Sequence, residues 1–312
     1  MPRPRLLPLI ALLCTGLCAA CDESGSSSGQ SLPTGKNDHR SHSSKKHRNG
    51  DEPPRGEFKV GRLDHKLIPE SSGVIASRRH DGVFWTHNDS GNGPTIFAIR
   101  RDGKLLGQYT LNVRNNDWEA ISIDDDGHLY VGDIGNNEHR RDRLMVYQID
   151  EPDPTSGAGG GTASAPLRVG ASWRLKFPGQ PFDAESLVIY QGKGYIISKL
   201  LTGQPAALYS FDLAAAAEEQ TLAPVCELPI RSPVTDAAIT PDGAKLAVMT
   251  VTGPYLFQID GDVAAAGRVQ PRHQLYFDLK DMNMEGVCFV EGGLLATTEQ
   301  GQVLFFKDAD FK

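Results

Sequence analysis

Five segments of the chain open alike, with an acidic residue in or just before a short apolar run. This repetition limits the fold more than any other feature of the sequence. The segments are Pro69-Glu70-Ser71-Ser72-Gly73-Val74-Ile75, Asp117-Trp118-Glu119-Ala120-Ile121-Ser122-Ile123, Asp183-Ala184-Glu185-Ser186-Leu187-Val188-Ile189, Val234-Thr235-Asp236-Ala237-Ala238-Ile239 and Asn283-Met284-Glu285-Gly286-Val287-Cys288-Phe289. Their acids Glu70, Glu119, Glu185, Asp236 and Glu285 stand 49, 66, 51 and 49 residues apart. The long interval holds the run Pro154 to Gly161, which reads as an insertion of about 15 residues in a period otherwise near 50. Units of that size bury their apolar faces on one another.

Each unit follows the same grammar. A Gly-containing turn comes seven or eight residues after the acid, at Gly127, Gly192, Gly243 and Gly292, and slightly later at Gly82 in the first unit. Such turns mark hairpins. Second strands follow at 83–86, 129–131, 195–197, 246–248 and 294–296. Third strands follow at 96–99, 145–149, 208–211, 255–259 and 303–306. Fourth strands are expected at 108–111, 173–177, 225–228 and 275–279, and the fifth unit ends without one. Phe58 to Leu63 supplies a strand of the right kind to complete it. Val60 and Leu63 are its expected anchors. The expected fold is all-β, a five-bladed β-propeller closed by an N-terminal strand, an architecture that leaves only short protected edges. The alternative is a six-bladed ring with its sixth blade hidden in the 66-residue unit, where the Gly-rich insertion argues against strands. A monomer is expected.

What precedes residue 58 has a different character. Arg3 and Arg5, the apolar run Leu6 to Leu13, and Leu17-Cys18-Ala19-Ala20-Cys21 form an export signal. Its end resembles the lipobox of bacterial lipoproteins, except that Cys18 stands where that pattern prefers Leu. The resemblance implies lipidation at Cys21, a membrane anchor, and residence in the bacterial cell envelope on its extracytoplasmic side. Residues 22–57 are Ser, Gly, Lys, Arg and His with few apolar side chains, and read as a disordered tether. Residues 58–312 form the propeller domain.

Charge follows the same division. The chain has 312 residues, 32 basic against 39 acidic. Residues 1–56 carry eight basic and five acidic side chains, so the rest carries a net of −10. An acidic body excludes nucleic acid as a natural partner and suits cation binding. Cys226 and Cys288 are the two cysteines outside the signal. They read as small buried hydrophobes rather than a disulfide framework.

First strands line the channel of a propeller. The loops entering them share a face with the loops between second and third strands, so the five acids converge on one mouth. Two like charges 4 Å apart repel by about 4 kcal/mol at an effective dielectric of 20. Three solutions exist: raised pKa values, a bound cation, or acids that hold backbone amides where blades meet. Donors that are all oxygen favour Ca2+, then Mg2+, over zinc or copper. The same face carries His87-Asn88-Asp89-Ser90, Asp133, Asn136-Asn137, Arg140-Arg141 and Lys199. His87, Arg140, Arg141 and Lys199 are candidates to hold an anionic substrate, with Asn88, Asn136 and Asn137 as polar contacts. Asp89 and Asp133 are the candidate general bases or outer carboxylates of a metal site. Asn136-Asn137 and Asp89-Ser90-Gly91 also suit ordinary turns, and Trp85 and Trp118 suit either a stacking platform or a core. The nucleophile elbow and the standard phosphate-binding glycine loops do not occur.

Glu70-Ser71-Ser72-Gly73, Asp117-Trp118-Glu119, Asp183-Ala184-Glu185 and Met284-Glu285-Gly286 resemble the strand openings of the esterase-like phytase family of bacterial propellers. The ring with one acid per blade is also similar to the calcium-activated apyrases. That family holds Ca2+ in its channel with Glu and Ser side chains and hydrolyses nucleoside diphosphates. The resemblance implies that Glu119, Glu185 and Glu285 correspond to its Glu ligands. Glu70 and Asp236 depart from it, because Ser fills the two remaining places there. The sequence thus leaves three function classes: a calcium-dependent hydrolase of phosphate or ester substrates, a non-catalytic propeller that binds an envelope glycan or protein, and a structural envelope lipoprotein.

Overall fold

A computed structural model describes residues 58–156, 165–276 and 283–312. The export signal with Cys21, the tether and the Gly-rich core of the insertion lie outside the described residues. Strand β1 (Lys59–Arg62) comes first. Blade one is β2 (Ser71–Ala76), β3 (Val83–Asn88), β4 (Thr95–Arg100) and β5 (Leu105–Thr110). Blade two is β6 (Trp118–Ile123), β7 (His128–Asp133), β8 (Arg143–Asp150) and β9 (Ala171–Lys176). Blade three is β10 (Asp183–Tyr190), β11 (Lys193–Lys199) and β12 (Ala207–Asp212), then β13 (Glu219–Thr221) and β14 (Ala223–Glu227). Blade four is β15 (Val234–Ile239), β16 (Lys245–Thr250), β17 (Tyr255–Gln258) and β18 (Arg272–His273). Blade five is β19 (Met284–Val290), β20 (Gly293–Thr298) and β21 (Gln302–Lys307).

The sheets are antiparallel meanders, and β1 pairs with β21 to complete blade five. Inner strands β2, β6, β10, β15 and β19 touch in succession, and β19 returns to β2. The ring therefore has five blades. The four apolar clusters each draw on neighbouring blades, so the core lies between sheets. Inner strands lie between two such faces, which is why β6 and β15 are buried at every position. The hairpin turns follow the expected glycines. At Gly243 φ is 68°, and an added Cβ would also collide with the Tyr190 hydroxyl.

Three details differ from the sequence expectation. The anchors of closure are Phe58 and Leu63, whereas Val60 sits at a bulge and is 39% exposed. The Phe58 ring lies 5.1 Å from that of Phe306 and 5.3 Å from that of Tyr276. The fourth strand of blade four is Arg272–His273, ahead of the expected 275–279, of which 277–279 lie outside the described residues. Pro254 interrupts the donor pattern of the partner segment, and Leu275 is exposed. Finally, β13 leaves blade three and pairs in parallel with β9 of blade two, giving that sheet a fifth strand. Cys226 and Cys288 are free, half-buried and buried. Among the described residues no helix is long and apolar enough to cross a membrane.

Candidate functional site

Register determines which side chains are equivalent around the ring. Every inner strand carries a bulge against its second strand at the same level. Its unpaired residues are Ser72 and Gly73 in β2, Glu119 in β6, Glu185 in β10, Thr235 in β15 and Glu285 in β19. Bulges re-aim single side chains and concentrate near functional sites. The ring of equivalents is thus three glutamates with two hydroxyl-bearing positions, Ser72 and Thr235. Glu70 and Asp236 fall out of this register. Glu70 precedes β2, is exposed, and accepts from Asn92 Nδ2 at 2.7 Å. Asp236 is fully buried and accepts from the amides of Ala237 at 2.8 Å and Val287 at 2.7 Å, tying β15 to β19. It does the work of an acid at a blade junction.

The three glutamates sense one another's charge. Burial comes first and their neighbours second in raising Glu119 and Glu285 well above the usual carboxylate range. Glu185 is pushed up to about 8 by burial, although Lys199 pulls the other way. Lys199, at the end of β11, lies against the Glu185 carboxyl and pairs with it once that group ionises; the charges of Glu185, Glu285 and Glu119 outweigh its desolvation and raise its pKa. Lys199 is therefore a resident cation among the acids. Its one charge leaves an excess of carboxylates.

A second grouping lies where blades one and two meet. One carboxylate oxygen each from Asp89, Asp117 and Glu119 lies within 4.8 Å of the others. Asp89 follows β3 and is half-buried. Its amide donates to Glu70 O at 2.9 Å and its carbonyl accepts from Asn115 Nδ2 at 3.0 Å, so the loop is pinned on both sides. Burial, then the charges of Asp117 and Glu70, push Asp89 up to about 6 against the Ser90 amide. Asp117 is raised by burial and by Asp183 and Asp133. Ser72 Oγ donates to Glu119 Oε2 at 2.9 Å. Below them lies Gly135, where a Cβ would collide with the carboxylates of Asp117 and Glu119. Asp117 belongs to a repeat opening in the sequence, but its role as a site residue emerges only from this juxtaposition.

The remaining candidates serve the scaffold. Asp133 is fully buried and accepts from Asn116 Nδ2 at 2.6 Å, the Asp117 amide at 3.1 Å and Arg141 Nη2 at 2.8 Å. Arg141 also donates to the carbonyls of Gly135 at 2.7 Å and Asp133 at 2.9 Å. This arrangement fixes the floor of the carboxylate cluster. It leaves Asp133 and Arg141 engaged with each other instead of with a substrate. The Asn136 amide donates to Asp183 Oδ1 at 2.7 Å and so staples the loop to blade three, while Asn136 Oδ1 accepts from the Arg141 amide of the same loop at 2.9 Å. Asn88 accepts from the Glu70 amide at 3.3 Å and donates to Leu67 O at 2.9 Å. His87 is fully buried, contacts Asn88 O at 3.1 Å, and is held neutral with a pKa pushed down to about 4 by burial. Asn137 is exposed, as is Arg140, which pairs with Glu138 at 2.9 Å. Trp85 and Trp118 are fully buried core residues.

Two buried polar atoms in the bulge ring, Glu185 Oε2 and Thr235 Oγ1, have no hydrogen-bond partner. Buried oxygens ordinarily have one. The donor set of the mouth consists of carboxylates and hydroxyls, which fits a hard divalent cation. Ca2+ holds oxygens at 2.3–2.6 Å, so ligand atoms around one ion are separated by up to about 5 Å. The Asp89, Asp117 and Glu119 spacing meets that condition.

The fold and this acidic mouth define a five-bladed β-propeller with one carboxylate-rich face. No protein-family model matches the chain, and no curated protein matches it in sequence. Solved structures resemble it at low identity. One is a gluconolactonase from Xanthomonas campestris, at 10% identity and TM-score 0.45 over 82% of this chain and 91% of that one. Another belongs to a nidogen/laminin complex, at 13% identity and TM-score 0.42 over 73% of this chain and 72% of that one. The Dos1 propeller, at 13% identity and TM-score 0.37, is matched over 73% of this chain and 52% of its own.

Proposed function

We propose that the chain is an envelope-anchored propeller that holds one Ca2+ between Asp89, Asp117 and Glu119, and that it hydrolyses a phosphate or ester substrate at that mouth. The observation that carries this reading is the convergence of three carboxylate oxygens within 4.8 Å. The raised pKa values of all three groups support it, because each marks a site where negative charge is costly until a cation arrives. When bound there, the ion supplies Lewis-acid polarisation of an anionic substrate. Ser72 orients Glu119, Gly135 leaves room beneath the carboxylates, and Arg141 with Asp133 holds the floor. Lys199 limits the repulsion between this cluster and the inner glutamates.

A non-catalytic propeller is the second reading. It is favoured by Arg141, Asn136 and Asn88, which are consumed by internal hydrogen bonds and leave little apparatus for turnover. Thermal melts of the full chain in calcium and in chelator test the cation. Wild type should melt higher in calcium, by about 2.7 kcal/mol at a hundredfold excess over the dissociation constant. Glu119→Gln should shrink that response. A wild type indifferent to chelator sinks both the cation and the hydrolytic reading. Hydrolysis of generic phosphate and ester substrates, absent in chelator, separates the two classes. The anchor is tested by Cys21→Ser, which should move the protein from the membrane fraction to the soluble fraction.

A further inference from the structure

The inner strands begin at the acidic mouth and end at their hairpins, so the hairpins form the other face of the ring. There a cavity of about 610 Å3 opens between the loop after β2, the β15–β16 hairpin and the β19–β20 hairpin. Its size lies within the range of small-molecule sites, about 300–1,000 Å3. Leu256, Phe289 and Phe311 give it an apolar wall. Arg78 lines it too. The Arg78 Nε is buried without a partner, and the guanidinium has neither hydrogen bond nor ion pair among the described residues.

The other charged groups of the cavity are accounted for. Asp308 accepts from Lys245 Nζ at 2.9 Å and Arg272 Nη2 at 3.2 Å. Asp242 caps its own hairpin by accepting from the Ala244 amide at 3.0 Å. Glu291 is exposed. Arg78 is thus a cation with donors turned to neither protein nor bulk water at Nε. Arg78 is half-buried, and its fork fits a planar oxyanion in bidentate fashion.

We propose that this cavity is a second binding site, which takes a small organic oxyanion with its head on Arg78 and its apolar body against Leu256, Phe289 and Phe311. The site is independent of the cation at the mouth. It lies at the opposite end of the inner strands and is built from blades one, four and five.

Calorimetric titration of the full chain with octanoate, octanol and inorganic phosphate tests the proposal, using wild type, Arg78→Gln and Arg78→Lys. Octanoate should bind wild type with one site, at least tenfold more tightly than octanol or phosphate, and equally in chelator. Arg78→Gln should reduce octanoate to the level of octanol, and Arg78→Lys should keep a preference for octanoate. The ligand-free Arg78→Gln protein should melt close to wild type, because no hydrogen bond or ion pair is lost; a purely structural arginine would lower the melt. The proposal is overturned if octanoate does not bind, if octanol binds as well, or if Arg78→Gln leaves octanoate affinity unchanged. Loss of octanoate binding in chelator also overturns it, since the anion would then sit at the mouth. Should Arg78→Gln fail to fold, an Arg78→Lys protein without preference for octanoate overturns it as well.

Discussion

Raising the pH of the metal-free protein from 6.5 to 8 should destabilise it, and the acidic mouth is the cause. Glu185 keeps its proton in the folded state up to about pH 8, whereas the unfolded chain loses it near pH 4.3. Between those values the folded state binds more protons, so stability falls as pH rises. The slope is about 1.4 kcal/mol per pH unit for each group in that condition. Glu185 alone then contributes a loss of about 2 kcal/mol over this range, and the raised Glu119 and Glu285 act in the same direction. The lower limit matters. His87, pushed down to about 4, adds stability as pH rises towards 6.5, and opposes Asp89, pushed up to about 6. Above pH 6.5 the His87 contribution fades, and the raised glutamates together with the buried, raised Asp236 dominate. Urea unfolding midpoints in chelator at constant ionic strength measure the effect. Glu185→Gln should flatten the decline by about one proton's worth, whereas saturating calcium should remove only the Glu119 share, because Glu185 lies outside the proposed ligand set. A metal-free stability that is level or rises from pH 6.5 to 8 refutes the reasoning.

Deleting residues 57–66 removes Phe58 and Leu63, whose burial stabilises by about 1.5–3 kcal/mol each, together with the β1 ladder. Cooperative unfolding should disappear from the calorimetric trace, while deletion of 22–56 should leave the melt unchanged. Arg141→Ala should cost about 3–5 kcal/mol by stranding the buried Asp133, whereas Arg140→Ala should leave the urea midpoint where it was. Gly135→Ala should displace the carboxylates of Asp117 and Glu119 and abolish the calcium-dependent rise in melting temperature.

The repeat, its hairpins and the closing strand were legible because each rests on local chemistry: an apolar alternation, a turn glycine, a missing partner at one chain end. The acid ring was legible only in part. Glu119, Glu185 and Glu285 were found by spacing, but a bulge adds a residue without leaving a mark in composition. Glu70 and Asp236 therefore aligned with them in the sequence and not in the register, where Ser72 and Thr235 stand instead. Charge partners were hidden for a similar reason. Lys199 and Arg141 read as groups facing a substrate, yet each meets a carboxylate of the scaffold, Glu185 and Asp133. Asp117 gains its place from the approach of the Asp89 loop across a blade boundary, and β13 from a parallel pairing with the neighbouring sheet. Neither has a local signal.

Calcium titration of the chelator-treated full chain, by calorimetry at pH 6 in two buffers of different protonation enthalpy, tests the central claim most directly. One Ca2+ per chain should bind with release of protons, since Asp89, Asp117 and Glu119 carry raised pKa values. Asp117→Asn should weaken the affinity at least tenfold. Saturable binding with no proton release, binding unaltered by Asp117→Asn, or no binding at all would contradict it.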